Sequence, residues 1–400
     1  MDLVSPHPFW PIKNGLLGVY PPLRTNETAD VAILGAGISG AILAERLSRE
    51  GLDVVVLDKR EAGAGSTSAS TALLQYEIDQ PLGELSRQIG RADAERAYRL
   101  CHDSIDAIES LAKRVGANCG FRRKKSVYLA SRKSHQRMLA EECRKRQEMG
   151  IAVELLDAED IRARFSFDRP AALVSEQAAE LDCHRFCHAL LKRAQEQGAR
   201  VFDRTRAVRR EAEKAGVRLT TDRGSVVRAR HVVYATGYES QTLLPRRVVA
   251  LKSTYALASE PLENFSGWWE RALIWETGRP YLYLRTTADN RAMVGGEDDA
   301  FRNPPTRDAR VGTRTDRLAK KFRALFPDIE LEVAYRWAGT FGETKDGLAY
   351  IGAVRQFPRS YFALGFGGNG ITYSAIAADL ISNALLARPN PDLRLFRFDR

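Results

Sequence analysis

Short apolar runs and stretches of helical spacing alternate along most of the chain. Residues 31–59, VAILGAGISGAILAERLSREGLDVVVLDK, show the alternation most regularly. Residues 31–34 are continuously apolar and read as a buried strand. A helical stretch follows with Ile38, Ile42 and Leu43 on one side, and Gly51 is placed to end it. A second apolar run at 54–57 finishes on Asp58. Strand, helix, strand and terminal acid therefore stand in register within one unit.

Further along, residues 91–114 place Ala94, Tyr98, Cys101, Ile105, Ile108 and Leu111 at intervals of three or four, which predicts a helix. Residues 126–129 read as strand, and 132–149 as a charged surface helix ended by Gly150. Asp182 is placed to cap a helix running to Gly198, before a strand at Val201 and Phe202. Extended segments follow at 207–220 and 225–235, and 247–300 is mainly strand, including YLYLR and AMVGG. A helix at 311–325, a strand at 360–364 and a helix from Thr372 to Leu386 complete the pattern. Residues 1–29 hold five prolines and little periodicity, and predict an irregular arm. The strands of nucleotide-binding type are split by a long excursion, so the pattern is that of a discontinuous α/β domain with a second domain inserted.

Gly35, Gly37 and Gly40 add chemistry to the first unit, because they give G-x-G-x-x-G where strand becomes helix. Gly35 permits the tight turn, Gly37 lets backbone approach a pyrophosphate, and Gly40 lets helix and strand pack closely. The free N–H groups at the helix start favour the anion, and Asp58 stands where a ribose hydroxyl is bound. Three further segments are dressed for a long cofactor. The loop 63–71, GAGSTSAST, offers backbone and hydroxyl donors with small side chains. In HVVYATGYES a strand ends on Thr236 and Gly237. In YFALGFGGNGITYSAIAADL, Gly365, Gly367, Gly368 and Gly370 precede a helix near Ile371, a second N-terminus suited to a ligand.

Composition changes this picture little. Four hundred residues with 44% hydrophobic and 28% charged content are ordinary for a globular protein of two or three domains. The formal charge of +10 suits anionic ligands, but RRKK at 122–125 is the densest basic run, so nucleic acid is not the expected partner. No stretch is apolar enough to span a bilayer, and five cysteines without a leader suggest a reducing cytoplasm.

Together with WAGTFGETKDGLAYIG at 337–352, these motifs resemble the D-amino-acid oxidase superfamily of flavoproteins, glycine oxidase and sarcosine oxidase among them. The resemblance runs in the family's order from about residue 30 to the C-terminal FRFDR. It implies a Rossmann-type FAD-binding domain from 30–90, 170–245 and 335–400, after an arm at 1–29. An α+β substrate domain on an antiparallel sheet would come from 91–169 and 246–334. It implies FAD held non-covalently, since no cysteine lies near the C-terminal glycine loop. By position, Ile38 and Ser39 match the pyrophosphate turn, and Asp58 and Lys59 the adenosine ribose contact. Ser66, Thr67, Thr71, Ala72 and Leu73 match the segment along the flavin, and Ala207 an adenine-side contact. Phe366, Gly367, Gly368, Asn369, Gly370, Ile371 and Thr372 match the loop closing over the isoalloxazine. Tyr281 falls on a strand position that faces substrate, with Arg285 four residues further on.

The chain also departs from the family. The arginine that holds a substrate carboxylate after the WAG tripeptide is replaced by Phe341, and a second, before the Asn-Gly of the last loop, by Gly368. A lysine that assists oxygen reduction in sarcosine-oxidase-like members corresponds to Met293. None of the six histidines lies in a segment expected to face the flavin, which tilts the chemistry from alcohol towards amine oxidation. Arg285 is the remaining candidate for an anionic substrate group. Tyr281, Tyr283 and Trp337 are either a cage for a cationic amine or core aromatics. The sequence CHRFCH at 183–188 is either a zinc-type pair of Cys and His at i, i+4 or plain helix packing.

The expected activity is oxidation of a C–N bond in a small amine or substituted amino acid by hydride transfer to flavin N5, with oxygen or another electron acceptor. Three alternatives keep the fold: a tRNA-modifying flavoprotein acting on an aminomethyl base, a 2-hydroxy-acid dehydrogenase, and a non-catalytic flavin-binding subunit.

Overall fold

Val31, Ala32, Ile33 and Leu34 are buried on the strand Glu27–Leu34, which pairs in parallel with Val54–Leu57 on one side and Val226–Tyr234 on the other. In this computed structural model, which describes residues 2–116 and 118–400, they form the centre of an eight-stranded sheet. Residues 1 and 117, which belong to the expected arm and the expected substrate segment, lie outside the described residues. The central order is Tyr350–Ala353, Ser360–Leu364, Val226–Tyr234, Glu27–Leu34, Val54–Leu57, Arg200–Phe202. The hairpin Ala207–Glu213 and Gly216–Thr221 joins it through Val226–Tyr234. Helices Ile38–Arg49, Arg91–Val115, Cys183–Glu196 and Gly370–Leu385 pack on one face in a single apolar core. Each fully buried Ile, Val or Leu there contributes roughly 1.5–3 kcal/mol.

A second sheet of nine strands is mostly antiparallel. Its order is Val333–Glu343, Ala250–Pro261, Arg291–Ala300, Leu282–Thr286, Leu273–Glu276, Arg122–Leu129, Ala172–Glu180, Leu73–Gln75. Val153–Leu156 pairs with Ala172–Glu180, and helix Val311–Leu325 covers the other end. The mixed α/β architecture is therefore the expected one, with different assignments at the seams. Leu73–Gln75, Ala172–Glu180 and most of Val333–Glu343 come from segments expected in the nucleotide domain, yet they hydrogen-bond into this second sheet. Helix Arg91–Val115, expected in the substrate domain, packs on Gly370–Leu385 beside the first sheet. A segment's sheet is decided by its partners, and no local pattern reports them.

The arm is irregular over residues 15–26, as expected, but ordered before them. Ser5 and Leu3 extend the edge of Val333–Glu343, through Ser5 N–H to Ala338 O at 2.9 Å and Thr340 N–H to Leu3 O at 2.8 Å. Phe9–Asn14 is a short helix whose Phe9 and Trp10 are buried. The loop expected at 63–71 also contains a helical turn, Ser66–Ala69.

Candidate functional site

The parallel strands end side by side at Leu34, Leu57 and Tyr234, and their C-terminal edge opens into a cavity of about 530 Å³. That is where ligands bind in open α/β sheets. Gly35 turns the chain with φ 110°, and a Cβ on it would stand 2.4 Å from Ala235 O. A Cβ on Gly40 would stand 1.8 Å from Gly35 O, so helix and strand touch through hydrogen alone. Helix Ile38–Arg49 starts at Gly37 without a side-chain cap of its own. Thr67 Oγ1 accepts the Ile38 N–H at 2.9 Å, tying the turn Ser66–Ala69 to the helix start. Gly37, Ile38 and Ser39 line the cavity, and this end is set up for an anion.

Asp58 closes the next section, accepting N–H bonds from Ala36 at 2.7 Å and Arg60 at 2.9 Å. Burial raises its pKa, and those two bonds pull against the rise. Lys59 and Arg60 both pair with Glu239 across the cavity rim. Beyond them lies a slot with apolar walls at Ala207, Val208, Leu219 and Leu243 and with Arg206, Arg209 and Arg210 also in its lining, open to solvent at Val208 and Leu243. In the other direction the lining passes Thr236, Gly237, Ser66, Thr67, Thr71, Ala72 and Leu73, and ends among Tyr281, Phe341 and the loop of Phe366, Gly367, Gly368, Asn369, Gly370 and Ile371. Gly40 and Thr372 stand behind the wall. Gly40 supports the turn, and Thr372 donates its hydroxyl to Gln75 O at 3.1 Å.

One continuous cavity thus offers a slot with apolar walls, a ribose-side carboxylate, a helix N-terminus and a broad end, in the order a dinucleotide flavin presents its parts. Its glycine-lined floor would be filled by any Cβ, so the residues present fit FAD. Residues 30–384 match the DAO family, described as FAD dependent oxidoreductase. The chain belongs to this family. Its cofactor is FAD, and it is an FAD-dependent oxidoreductase. It is 25% identical over 382 residues to gamma-glutamylputrescine oxidoreductase of Escherichia coli, covering 92% of this chain and 86% of that one. It is 25% identical over 379 residues to glycine oxidase of Bacillus licheniformis, covering 90% and 94%. The crystal structure of glycine oxidase from Geobacillus kaustophilus superposes with a TM-score of 0.77 at 21% identity, covering 94% of this chain and 99% of that one.

Within this DAO-family framework three expected side chains are employed elsewhere. Arg285 does not face the cavity. Its Nη1 donates to Thr71 O at 2.9 Å, Ala72 O at 2.8 Å and Leu181 O at 2.9 Å, and its Nε donates to Thr286 O at 2.8 Å. It is 2% exposed and clamps the backbone beside the flavin instead of presenting a charge to substrate. Trp337 is also turned away, donating from Nε1 to Ala69 O at 2.9 Å and stacking on Phe9. It is Trp275, and not Trp337, that lines the cavity with Tyr281 and Tyr283, stacked on Tyr128 at 3.7 Å. Met293 is buried in the core behind the sheet.

The CHRFCH helix is packing. The Cys183 thiol donates to Thr67 O at 3.2 Å and the Cys187 thiol to Ala36 O at 3.5 Å, and burial raises both pKa values. His184 and His188 lie against Gly63, behind the cavity wall. No histidine among the described residues lines the cavity.

Acids are the feature the sequence reading missed. Glu77, Asp79 and Asp298 line the broad end. Asp79 Oδ2 accepts the Gly368 N–H at 3.0 Å, and a Cβ on Gly368 would point between Asp79 Oδ1 at 3.5 Å and the Tyr281 hydroxyl at 3.4 Å. Asp298 lies in the strand Arg291–Ala300, where pairing slips from Ser253 opposite Asp299 to Tyr255 opposite Gly296. A slip of this kind re-aims side chains. The only warning in the sequence is the acidic triplet EDD, residues 297–299, closing an otherwise apolar strand.

Proposed function

We propose that this protein oxidises a C–N bond of an amine or substituted amino acid, passing the electrons to oxygen or another acceptor. The observation that carries the reading is the broad end of the cavity. Phe341 and Gly368 stand where the family's carboxylate-binding arginines were expected, Arg285 is engaged with backbone carbonyls, and no imidazole is present among the described lining residues. An α-carboxylate buried there without a guanidinium would lose charge-assisted hydrogen bonds worth several kcal/mol. Alcohol oxidation usually calls on a base beside the flavin, most often a histidine, and among the described residues the broad end offers carboxylates and no histidine. A neutral amine does not need a base. The names of the two relatives, an oxidoreductase of gamma-glutamylputrescine and an oxidase of glycine, support the same bond class.

Bound FAD supplies the acceptor for the hydride that leaves the substrate's α-carbon, and the resulting imine hydrolyses in water. The protein's own part is placement. The turn at Ser66–Ala69, the Arg285-clamped carbonyls of Thr71 and Ala72 and the loop from Phe366 to Ile371 would hold the cofactor. Tyr281 and Phe341 bound the space left for substrate. Burial keeps the Tyr281 hydroxyl protonated, so it acts as a neutral hydrogen-bonding group.

Anaerobic titration of the yellow protein with amines, N-alkyl amino acids and hydroxy acids tests the reading. Bleaching by an amine, and not by hydroxy acids, is expected. Readmitted air then separates oxygen from another acceptor by the speed of reoxidation. Bleaching only by hydroxy acids would overturn the proposal.

A further inference from the structure

Three acids close the strand Arg291–Ala300, and two of them are neutralised. Glu297 pairs with Arg314 at 3.1 Å and Lys321 at 2.6 Å, and Asp299 with Arg314 at 2.9 Å and Arg310 at 2.5 Å. Asp298, between them, faces the other way into the cavity. No Lys or Arg among the described residues makes an ion pair with it, and its Oδ1 is buried without a hydrogen-bond partner there. A buried carboxylate without a cation is costly, and such a group in a ligand cavity points to a partner that arrives with the ligand. Burial pushes Asp298 up to about 6, with Glu343 and Asp79 adding to the rise and Thr254 and Arg279 opposing it.

The surroundings suit a cation. Tyr281, Tyr283 and Trp275 supply aromatic faces and edges, and the Tyr283 hydroxyl lies 3.3 Å from Thr254 Oγ1. The position expected to carry a carboxylate-binding arginine is Gly368, and the direction of its missing side chain runs to the Asp79 carboxylate. An acid thus stands where the guanidinium was expected. Arg279 is exposed at the mouth, lying over the Tyr281 ring at 4.3 Å with Nη2 donating to Asp79 O.

We infer that Asp298 is the anchor of the substrate's positive charge, and that the substrate is a cationic amine seated against Tyr281, Tyr283 and Trp275. The inference rests on the C–N reading above and sharpens it: the substrate carries a cationic group apart from the neutral nitrogen that is oxidised, and it is selected by that cation and not by a carboxylate. A buried carboxylate and aromatic faces both strengthen as water is excluded, so the cation is held by charge and by ring quadrupoles together.

The test uses the FAD-loaded protein and benzyltrimethylammonium, a cation that cannot be oxidised as an amine, with benzoate as the anionic counterpart. Binding is read by calorimetry and by perturbation of the flavin absorption band. The cation should bind, benzoate should bind at least tenfold more weakly, and Asp298→Asn should weaken the cation at least tenfold with FAD content unchanged. Cation affinity of the wild-type protein should fall as pH drops below about 6, where Asp298 takes up a proton, and this arm does not depend on the variant folding. Preference for benzoate, or a cation affinity indifferent to both Asp298→Asn and pH, would overturn the inference. Turnover is read separately. Asp298-dependent cation binding without flavin reduction by any amine would leave the anchor standing and remove the C–N reading. Amine oxidation with Asp298-independent binding would do the reverse.

Discussion

Replacing Arg285 by methionine tests whether its guanidinium serves the fold or the substrate. The side chain is buried and donates to four backbone oxygens, two of them on Thr71 and Ala72 beside the flavin-facing turn. Ala72 has φ 53°, a left-handed conformation that an alanine adopts only when held. Nε also lies 3.6 Å from Glu180, whose Oε2 has no hydrogen-bond partner among the described residues. Methionine fills much of the volume but leaves these acceptors unpaired and Glu180 short of its nearer cation. Breaking a buried charge pair costs about 3–5 kcal/mol. Lys124, 3.8 Å from Glu180, remains, which places the loss near 3 kcal/mol. Thermal unfolding followed by circular dichroism, with flavin release as a second signal, should show both transitions earlier and the flavin leaving first. A variant that kept its melting temperature and FAD content while KM rose for one substrate would refute the argument and return Arg285 to the binding site.

Other consequences are equally measurable. Gly40→Ala places a methyl group where Gly35 O already stands, so the purified variant should retain less than about a tenth of the wild-type FAD, read from the visible spectrum. Burial holds His184 and His188 down at about 4, so the fold keeps both neutral. As pH falls below about 6.5 the unfolded chain takes up protons that the fold refuses, and stability is lost progressively down to about pH 4. For one ring this is on the order of 3 kcal/mol, and His184→Phe should flatten the acid side of a melting-temperature profile. Phe341→Arg returns a guanidinium to the cavity wall, and benzoate affinity should rise about tenfold by calorimetry. Deleting residues 2–14 removes the Trp10 Nε1 bond to Ser70 O and the edge pairing at Ala338, and should speed FAD release without abolishing the fold.

The cofactor half of the cavity was legible in the sequence because its determinants are local. A strand, three glycines, a helix and an acid within residues 31–59 fix their own geometry, and each turned up where periodicity placed it. The long helix Arg91–Val115 and the Asp182 cap were readable for the same reason, the cap accepting N–H bonds from His184 and Arg185. The broad end of the cavity is assembled from residues 75–79, 254, 275–283, 298 and 341, brought together by strand pairings that no local pattern encodes. Arg285 shows the difficulty. Four residues from a cavity-facing tyrosine, it looked available, yet the flavin-side carbonyls it serves lie more than 200 positions earlier. Trp337 and Trp275 exchanged roles likewise, since which aromatic ring faces a cavity depends on what occupies the other side of its strand.

The N-terminal arm has a consequence for the order of events during synthesis. Ser5 caps Ala338, a partner 333 residues away. At about 5–20 residues per second, residues 3–10 emerge roughly 20–70 s before the strand that receives them exists. Leu3, one wall of the cavity, therefore reaches its position only after nearly every other lining residue has been made. Until that strand is made, the side of the cavity under the arm lacks both Leu3 and the edge that seats it, and two strands of the first sheet, Tyr350–Ala353 and Ser360–Leu364, follow later still. The arm therefore waits unpaired through most of synthesis and seats only when Val333–Glu343 arrives.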